Sequence, residues 1–298
     1  PIFVGEICWW PLCATLPGLP VSPDHRPASR MLKLPNVSLL CLDTRHPELA
    51  VFAMQRCLDQ ACFGEAVLLT VAGYVSPDPR IRVQPVARLR SVADYSAFII
   101  KSLGAHVTGS HVLVMQWDSF ILNADAWDPA FLDYDYLGAP WPHRAPPVGN
   151  GGFSLRSRRL LDALQDPDIH DLQPEDYCIC ELYRARLEGE HGIRFAPLEL
   201  ARRFSFELEA PSGPVFGFHG LFNFHRALPE SDLLAWLEKA PAGLLRSMQG
   251  RRLVKNLIHA GRAVPARKIL QIRARGGLKL RLDALKLGSL LAARGLWT

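Results

Sequence analysis

Four stretches between Gln116 and Gly220 combine residue types that do chemistry at spacings worth testing. Gln116-Trp117-Asp118 closes the apolar run His111–Met115, which reads as a buried strand. A carboxylate at such a strand end emerges into a crevice, where its oxygens suit a Mg²⁺ or Mn²⁺ ion bridging a diphosphate. The same residue type also caps turns. Further on, Gly149-Asn150-Gly151-Gly152-Phe153 demands either a backbone that only glycine adopts or a backbone approached closely by a ligand. A tight hairpin accounts for the glycines but leaves the nearby cluster of Trp141, Phe153 and Arg156 unexplained, and aromatic faces beside such backbone suit a sugar ring or base. Pro174-Glu175-Asp176 opens a helical pattern running to Gly189. Acids in a first turn complement the helix dipole, and the same placement projects Asp176 into a cleft as a general base. Finally, Phe216-Gly217-Phe218-His219-Gly220 sets one histidine in an apolar segment, as a core residue or as a ligand with room beside the backbone.

These side chains need a scaffold, and the preceding residues describe one. Val37–Leu42, Ala66–Val71, Ile81–Val83 and His111–Met115 read as strands. Pro47–Cys62 and Asp94–Leu103 between them read as helices. Strands alternating with helices imply βαβ units around a mostly parallel sheet. Ligands bind such sheets at the carboxyl ends of the strands, so Asp43, at the end of the first strand, joins Asp118 as a candidate. No glycine-rich fingerprint follows that strand, which argues against nicotinamide enzymes and P-loop NTPases. Residues 1–35 are proline-rich and read as an irregular arm, residues 36–228 as the α/β domain, and residues 229–298 as a helical basic region.

The chain has 298 residues, 49% of them hydrophobic, enough for a substantial core and incompatible with pervasive disorder. Its net charge of +5 conceals an asymmetry. From Gly243 onwards there are thirteen Lys and Arg against one acid, Asp283, a net +12 that leaves the remainder at −7. Within this region Leu253, Leu257 and Ala260, then Leu280, Ala284, Leu287 and Leu291, recur at helical spacing. A basic amphipathic helix of this type lies on an anionic membrane surface, binds an acidic partner, or merely caps a domain with solvated charge. Nucleic acid is disfavoured because no aromatic stacking platform accompanies the charge. The seven cysteines are odd in number and scattered, which fits neither a disulfide framework nor a zinc site and suggests a reducing cytoplasm, with peripheral attachment at the membrane's inner face a further option. No signal peptide is recognisable in the opening segment, which starts at Pro1.

Together, and in this order, the motifs resemble the metal-dependent glycosyltransferases of the GT-A fold: an acidic triplet, a glycine loop, a Glu-Asp pair and a C-terminal histidine. More narrowly, QWDSF, DYLGAPW, GNGGFSLRS, PEDYCIC and FGFHG are similar to an uncharacterised-domain family of bacterial and fungal glycosyltransferase-like proteins, over roughly Val37 to Phe224. The resemblance implies a Rossmann-like central mixed, mostly parallel sheet. It implies Asp118 and His219 as ligands of Mn²⁺ or Mg²⁺, with Gln116 and Trp117 beside the donor. Asp176 would be the base in an inverting transfer and Glu175 a hydrogen-bond partner of the acceptor. Trp141, Asn150, Gly151, Gly152 and Phe153 would shape the donor–acceptor junction, and Asp43, Thr44 and Arg45 the nucleotide site. It further implies a UDP- or GDP-sugar donor and a glycan, lipid-linked or protein acceptor. Gln116 stands where the triplet usually has a second acid, which weakens metal affinity. Two other readings are a non-catalytic nucleotide-sugar or glycan-binding module and a sugar nucleotidyltransferase, although the latter's glycine- and arginine-rich loop is missing after the first strand.

Overall fold

The computed structural model describes residues 31–145 and 147–296. The first strand, β1 (Leu32–Leu42), is followed by α1 (Pro47–Leu58), β2 (Ala61–Thr70), β3 (Arg82–Pro85), α2 (Val92–Lys101) and β4 (His111–Met115). β1 pairs in parallel with β2 and β4, and β2 with β3. The short β6 (Tyr136–Leu137) and β7 (Phe153–Ser157) run antiparallel and complete a six-stranded sheet in the order β3-β2-β1-β4-β7-β6. Strands of a parallel sheet are covered on both faces, so they read as near-continuous apolar runs. Leu39, Cys41, Leu68, Leu113 and Met115 pack on the side that carries α1. Leu40, Leu42, Val67, Leu69, Val112 and Val114 pack on the other, against Ile99 of α2 and Leu161 of α3 (Arg158–Ala163). This is the fold class expected from the sequence: a mixed, mostly parallel sheet between helices.

A second, three-stranded sheet matters more for the site. β5 (Ser119–Ile121) starts one residue after Asp118 and pairs antiparallel with β9 (Gly217–His219). β9 in turn runs parallel to β8 (Ser205–Phe206). Because Ser119 pairs with His219, the register alone delivers the histidine to the end of β4. A cluster of rings cements this seam, with Phe120 edge-on to Phe218 and Phe153 tilted against Phe204 and Phe216.

Three expectations change. Residues 1–30 lie outside the described residues, but the end of the proline-rich arm is strand, not irregular chain. β1 begins at Leu32, and Pro35 sits where its pairing with β2 shifts register between Leu34 and Ser38, a place where the missing N–H costs no ladder bond. The helix expected from Pro174 onwards is interrupted. A single turn, α4 (Glu175–Tyr177), widens over Cys178–Leu182 before α5 (Arg184–Gly189) resumes. After α6 (Leu198–Phe204) and α7 (Phe224–Ala227) come α8 (Glu230–Lys239), α9 (Ala242–Arg246), α10 (Met248–His259), α11 (Ala263–Ala274) and α12 (Leu278–Ala293). Residues 229 onwards are thus helical, but they share the main core: Leu233, Trp236, Leu253, Leu257, Ile269 and Leu291 belong to the same hydrophobic cluster as Leu39 and Phe120. The cysteines among the described residues are all free thiols.

Candidate active site

Asp118 and His219, which the family resemblance pairs as metal ligands, meet in space. Asp118 is buried, and its Oδ2 accepts the Leu221 backbone N–H at 3.0 Å. That bond fixes the carboxylate so that Oδ1 faces His219 Nε2 across 3.5 Å. Gln116 Oε1 lies 3.3 Å from the same nitrogen. On the other side of the ring, Nδ1 is 3.4 Å from Glu207 Oε1. Burial works to lower the His219 pKa, but the two carboxylates outweigh it and raise it to about 10. Alone, the ring is therefore an imidazolium held between two acids.

The glycine loop is the hub of the constellation. Asn150 occupies the left-handed region at φ 56°, where asparagine is the best tolerated residue after glycine. Its Nδ2 donates to Glu207 Oε2 at 2.8 Å and lies 3.2 Å from His219 Nδ1. Gly151 N–H donates to Asp176 Oδ2 at 3.4 Å, bringing the candidate base to the same loop. Gly152 supports the imidazole: a Cβ there would sit 2.3 Å from His219 Nε2. Its carbonyl also accepts from the Gln116 N–H at 3.0 Å and the Ser119 hydroxyl at 2.8 Å, tying the loop to the end of β4.

Glu175 takes a different place from the one expected beside the acceptor. It is buried under Gly151, with Oε1 2.7 Å from Nη2 of Arg156, itself fully buried. Burial opposes the charge on that guanidinium, and the Glu175 carboxylate outweighs the penalty and raises its pKa. The acid is therefore committed to supporting the loop. Trp141 and Phe153, expected as faces for a sugar, are likewise core residues, 6% and 0% exposed. The glycines near them make room for the protein's own rings: a Cβ at Gly149 would lie 2.4 Å from the Trp141 indole, and one at Gly217 would lie 2.3 Å from the Phe153 ring.

Asp43, Thr44 and Arg45 line an open pocket of about 340 Å³ together with Tyr95, Gln116 and Trp117. Asp43 Oδ1 accepts the backbone N–H groups of Arg45 and His46 at 2.7 and 2.8 Å, which shapes the turn into α1. Thr44 Oγ1 accepts the Leu89 N–H, and Arg45 donates to the Arg90 carbonyl, so both hold the loop that forms the opposite wall. Tyr95 takes a 3.1 Å bond from Gln116 Nε2 and links this pocket to His219. On the far side of the ring, Glu207 lines a second pocket of about 360 Å³ with Ser205, Phe206, Glu199, Arg202 and Glu209. Sequence reasoning missed Tyr95 and Glu207. The only sequence signal for Glu207 is an acid following the alternating Phe204-Ser205-Phe206, and Tyr95 reads as an ordinary helix residue.

Among the described residues no group of three His, Cys, Asp or Glu side chains is placed to hold a metal ion. What remains is Asp118 Oδ1, buried and without a hydrogen-bond partner, facing His219 Nε2, with the Gln116 amide oxygen beside it. Two or three such ligands fit a hard cation that takes its other ligands from substrate phosphates and water. They do not make a closed cage. Binding there would also require the histidine to give up its proton.

Residues 80–219 match the profile of a family described as a protein of unknown function, DUF5672. No curated protein matches the chain. Among solved structures the chain is similar to the galactosyltransferase LgtC in complex with donor and acceptor sugar analogues, at 13% identity over 61% of this chain and 86% of that one, with a TM-score of 0.37. It is also similar to residues 1–349 of S. aureus TarS, at 12% identity over 87% and 80%, TM-score 0.35. A further match is the same TarS segment in complex with UDP, TM-score 0.30. What this site can do is decided by its own geometry.

Proposed function

We propose that the chain is a glycosyltransferase that moves a sugar from a UDP- or GDP-sugar to a hydroxyl of a glycan, lipid-linked or protein acceptor, with inversion. The observation that supports this reading best is the meeting of Asp118, His219 and Gln116 between two pockets, with Asp176, on the turn α4, hydrogen-bonded to the loop that cradles the histidine. Asp118 and His219, helped by Gln116, would hold Mn²⁺ or Mg²⁺, whose charge offsets that developing on a departing diphosphate. The remaining work falls to the chain. Asp43, Thr44, Arg45 and Tyr95 frame the nucleoside end of the donor, and the Glu207 pocket receives the acceptor. Asp176 takes the proton of the acceptor hydroxyl as its oxygen bonds to the anomeric carbon and the carbon–oxygen bond to the diphosphate breaks. Hydrolysis by glycosidases needs two carboxylates flanking the bond, whereas one base suffices here because the leaving group is already good.

The test is a screen of UDP- and GDP-sugars with Mn²⁺ and a mixed acceptor set, read by product mass. Asp176→Asn is expected to lower turnover by at least about 100-fold while donor affinity persists. Undiminished turnover in that variant rejects the base assignment. That no three-ligand metal group forms among the described residues favours one second reading, a non-catalytic nucleotide-sugar-binding module. Calorimetric titration separates the two, since the module binds donor equally with and without Mn²⁺ and forms no product.

A further inference from the structure

The apolar stripe that the sequence marks in the basic region is not the one that stays open. Leu253, Leu257, Ala284, Leu287 and Leu291 face the core. On α12 a second apolar line remains on the outside, Leu278, Leu282 and Leu285, 72%, 50% and 68% exposed. Their i, i+4, i+7 spacing puts them on one face, opposite the buried Ala284, Leu287 and Leu291. A helix apolar on both sides has one side packed and one side unaccounted for. Beside this line a groove of about 590 Å³ runs between α11 and α12, lined by Leu270, Ala274, Ala284, Leu285, Gly288 and Ala292.

The flanks of this face are cationic. At 100° per residue, Lys279 and Lys286 fall along one edge of the leucine line and Arg281 along the other, with Arg275 exposed just before the helix begins. Among the described residues none of these four forms an ion pair. The region's one acid, Asp283, is turned inward, 2.5 Å from both Arg251 and Arg273. The patch is thus apolar at its centre, positive on both margins and free of acid.

We propose that this face of α12, with the α11–α12 groove, docks on an anionic phospholipid surface. The helix lies in the interfacial plane with Leu278, Leu282 and Leu285 at the acyl boundary, and the four cations meet the headgroup phosphates. Charge decides the occupant: a second copy would set cations against cations, whereas an anionic leaflet complements both margins. No helix among the described residues is long and apolar enough to cross a membrane, so the attachment is peripheral. The inference rests on α11 and α12 alone and is independent of the sugar-transfer reading.

The experiment is co-sedimentation of the full chain with phosphatidylcholine vesicles, with and without about one-third phosphatidylglycerol, at about 50 and 500 mM salt. Binding is expected only to the anionic vesicles and is expected to fall at high salt. Lys279→Glu with Lys286→Glu should weaken it by at least about tenfold, and Leu278→Ser with Leu282→Ser and Leu285→Ser should do the same. Circular dichroism establishes that each variant is folded, and because all five positions are exposed, an unchanged melting curve is expected. Equal binding to neutral vesicles, no binding at low salt, or indifference to both variant sets overturns the proposal. So does a lipid-free dimer, seen by light scattering, that the leucine variant dissociates, because the face then belongs to a second copy.

Discussion

Glu175 and Asp176 are adjacent acids, and their surroundings assign them opposite jobs that can be separated without any substrate. Arg156 is enclosed on all sides. Its Nη2 is paired with Glu175 at 2.7 Å, its Nε donates to Ser154 Oγ at 3.0 Å, and its guanidinium lies 5.4 Å from the centre of the Tyr136 ring. Glu175→Gln keeps the shape but leaves a buried cation without its counter-charge. Breaking a buried pair from one side costs about 3–5 kcal/mol. For a folding unit of this size, each kcal/mol moves the melting midpoint by about 2–4 °C, so a drop on the order of 10 °C is expected. Asp176 is only partly buried and holds the loop only through a 3.4 Å contact, so Asp176→Asn should change stability by no more than about 0.5 kcal/mol. Replacing the pair together, Arg156→Met with Glu175→Leu, should recover much of the loss, because apolar residues can fill a buried pair's site at little cost. Calorimetry or guanidinium titration of the four proteins reads all of this. If Glu175→Gln costs under about 1 kcal/mol, or costs no more than Asp176→Asn, then Glu175 is not the support of the loop and the division of labour fails.

Gly152→Ala places a methyl group 2.3 Å from His219 Nε2, the nitrogen that faces Asp118 and Gln116, on a ring whose Nδ1 faces Glu207. The variant should fold yet lose at least about tenfold in Mn²⁺ affinity, measured by calorimetry; unchanged affinity removes His219 from the proposed metal site. Asn150→Gly keeps the left-handed backbone and deletes only the side-chain bonds to Glu207 and His219, for an expected cost of about 1 kcal/mol in denaturant unfolding, against a larger cost for Asn150→Val. Acid should weaken the fold through two carboxyls remote from the site. Burial raises the Glu65 pKa, but bonds from Arg82, Ser38 and Thr108 outweigh it and leave it at about 2, while Arg80 brings Asp78 to about 2. Both lie below their unfolded values, so their contribution is complete above about pH 4.5 and is lost as the pH falls through 2. Glu65→Gln should flatten the stability-versus-pH curve below pH 4.5, and an unaltered curve would contradict the assignment.

The parallel half of the main sheet was legible because its strands are buried on both faces and therefore stand out as unbroken apolar runs; His111–Met115 was read to the residue. The start of β1 was not, because a proline inside a strand looks like a loop unless the bulge that accommodates it is visible. Aromatics beside glycines were misread for a related reason. Gly149 and Gly217 signal close approach to the backbone, but nothing in the sequence says whether a ligand or the protein's own Trp141 and Phe153 makes that approach. Residues 229–298 were set apart by charge, yet charge describes only the outer surface of those helices. Trp236, which stacks on Trp117 at 6.0 Å, carries them into the seam beside the site.

Where the candidate residues sit follows from that seam. Asp118 lies in the tight turn between the large sheet's β4 and the small sheet's β5, one residue before β5, and His219 ends β9 in register with Ser119. Both side chains are therefore placed by backbone pairing and need no flexible loop to bring them together. Asp176 instead reaches the site through Gly151, on a single helical turn supported by the Arg156–Glu175 pair. The proposed cation ligands and the proposed base consequently belong to structural units of different stiffness. Perturbing β9 should abolish metal and donor binding together. Loosening the buried pair should leave donor binding intact and lower turnover, a KM-against-kcat separation that the fold itself dictates.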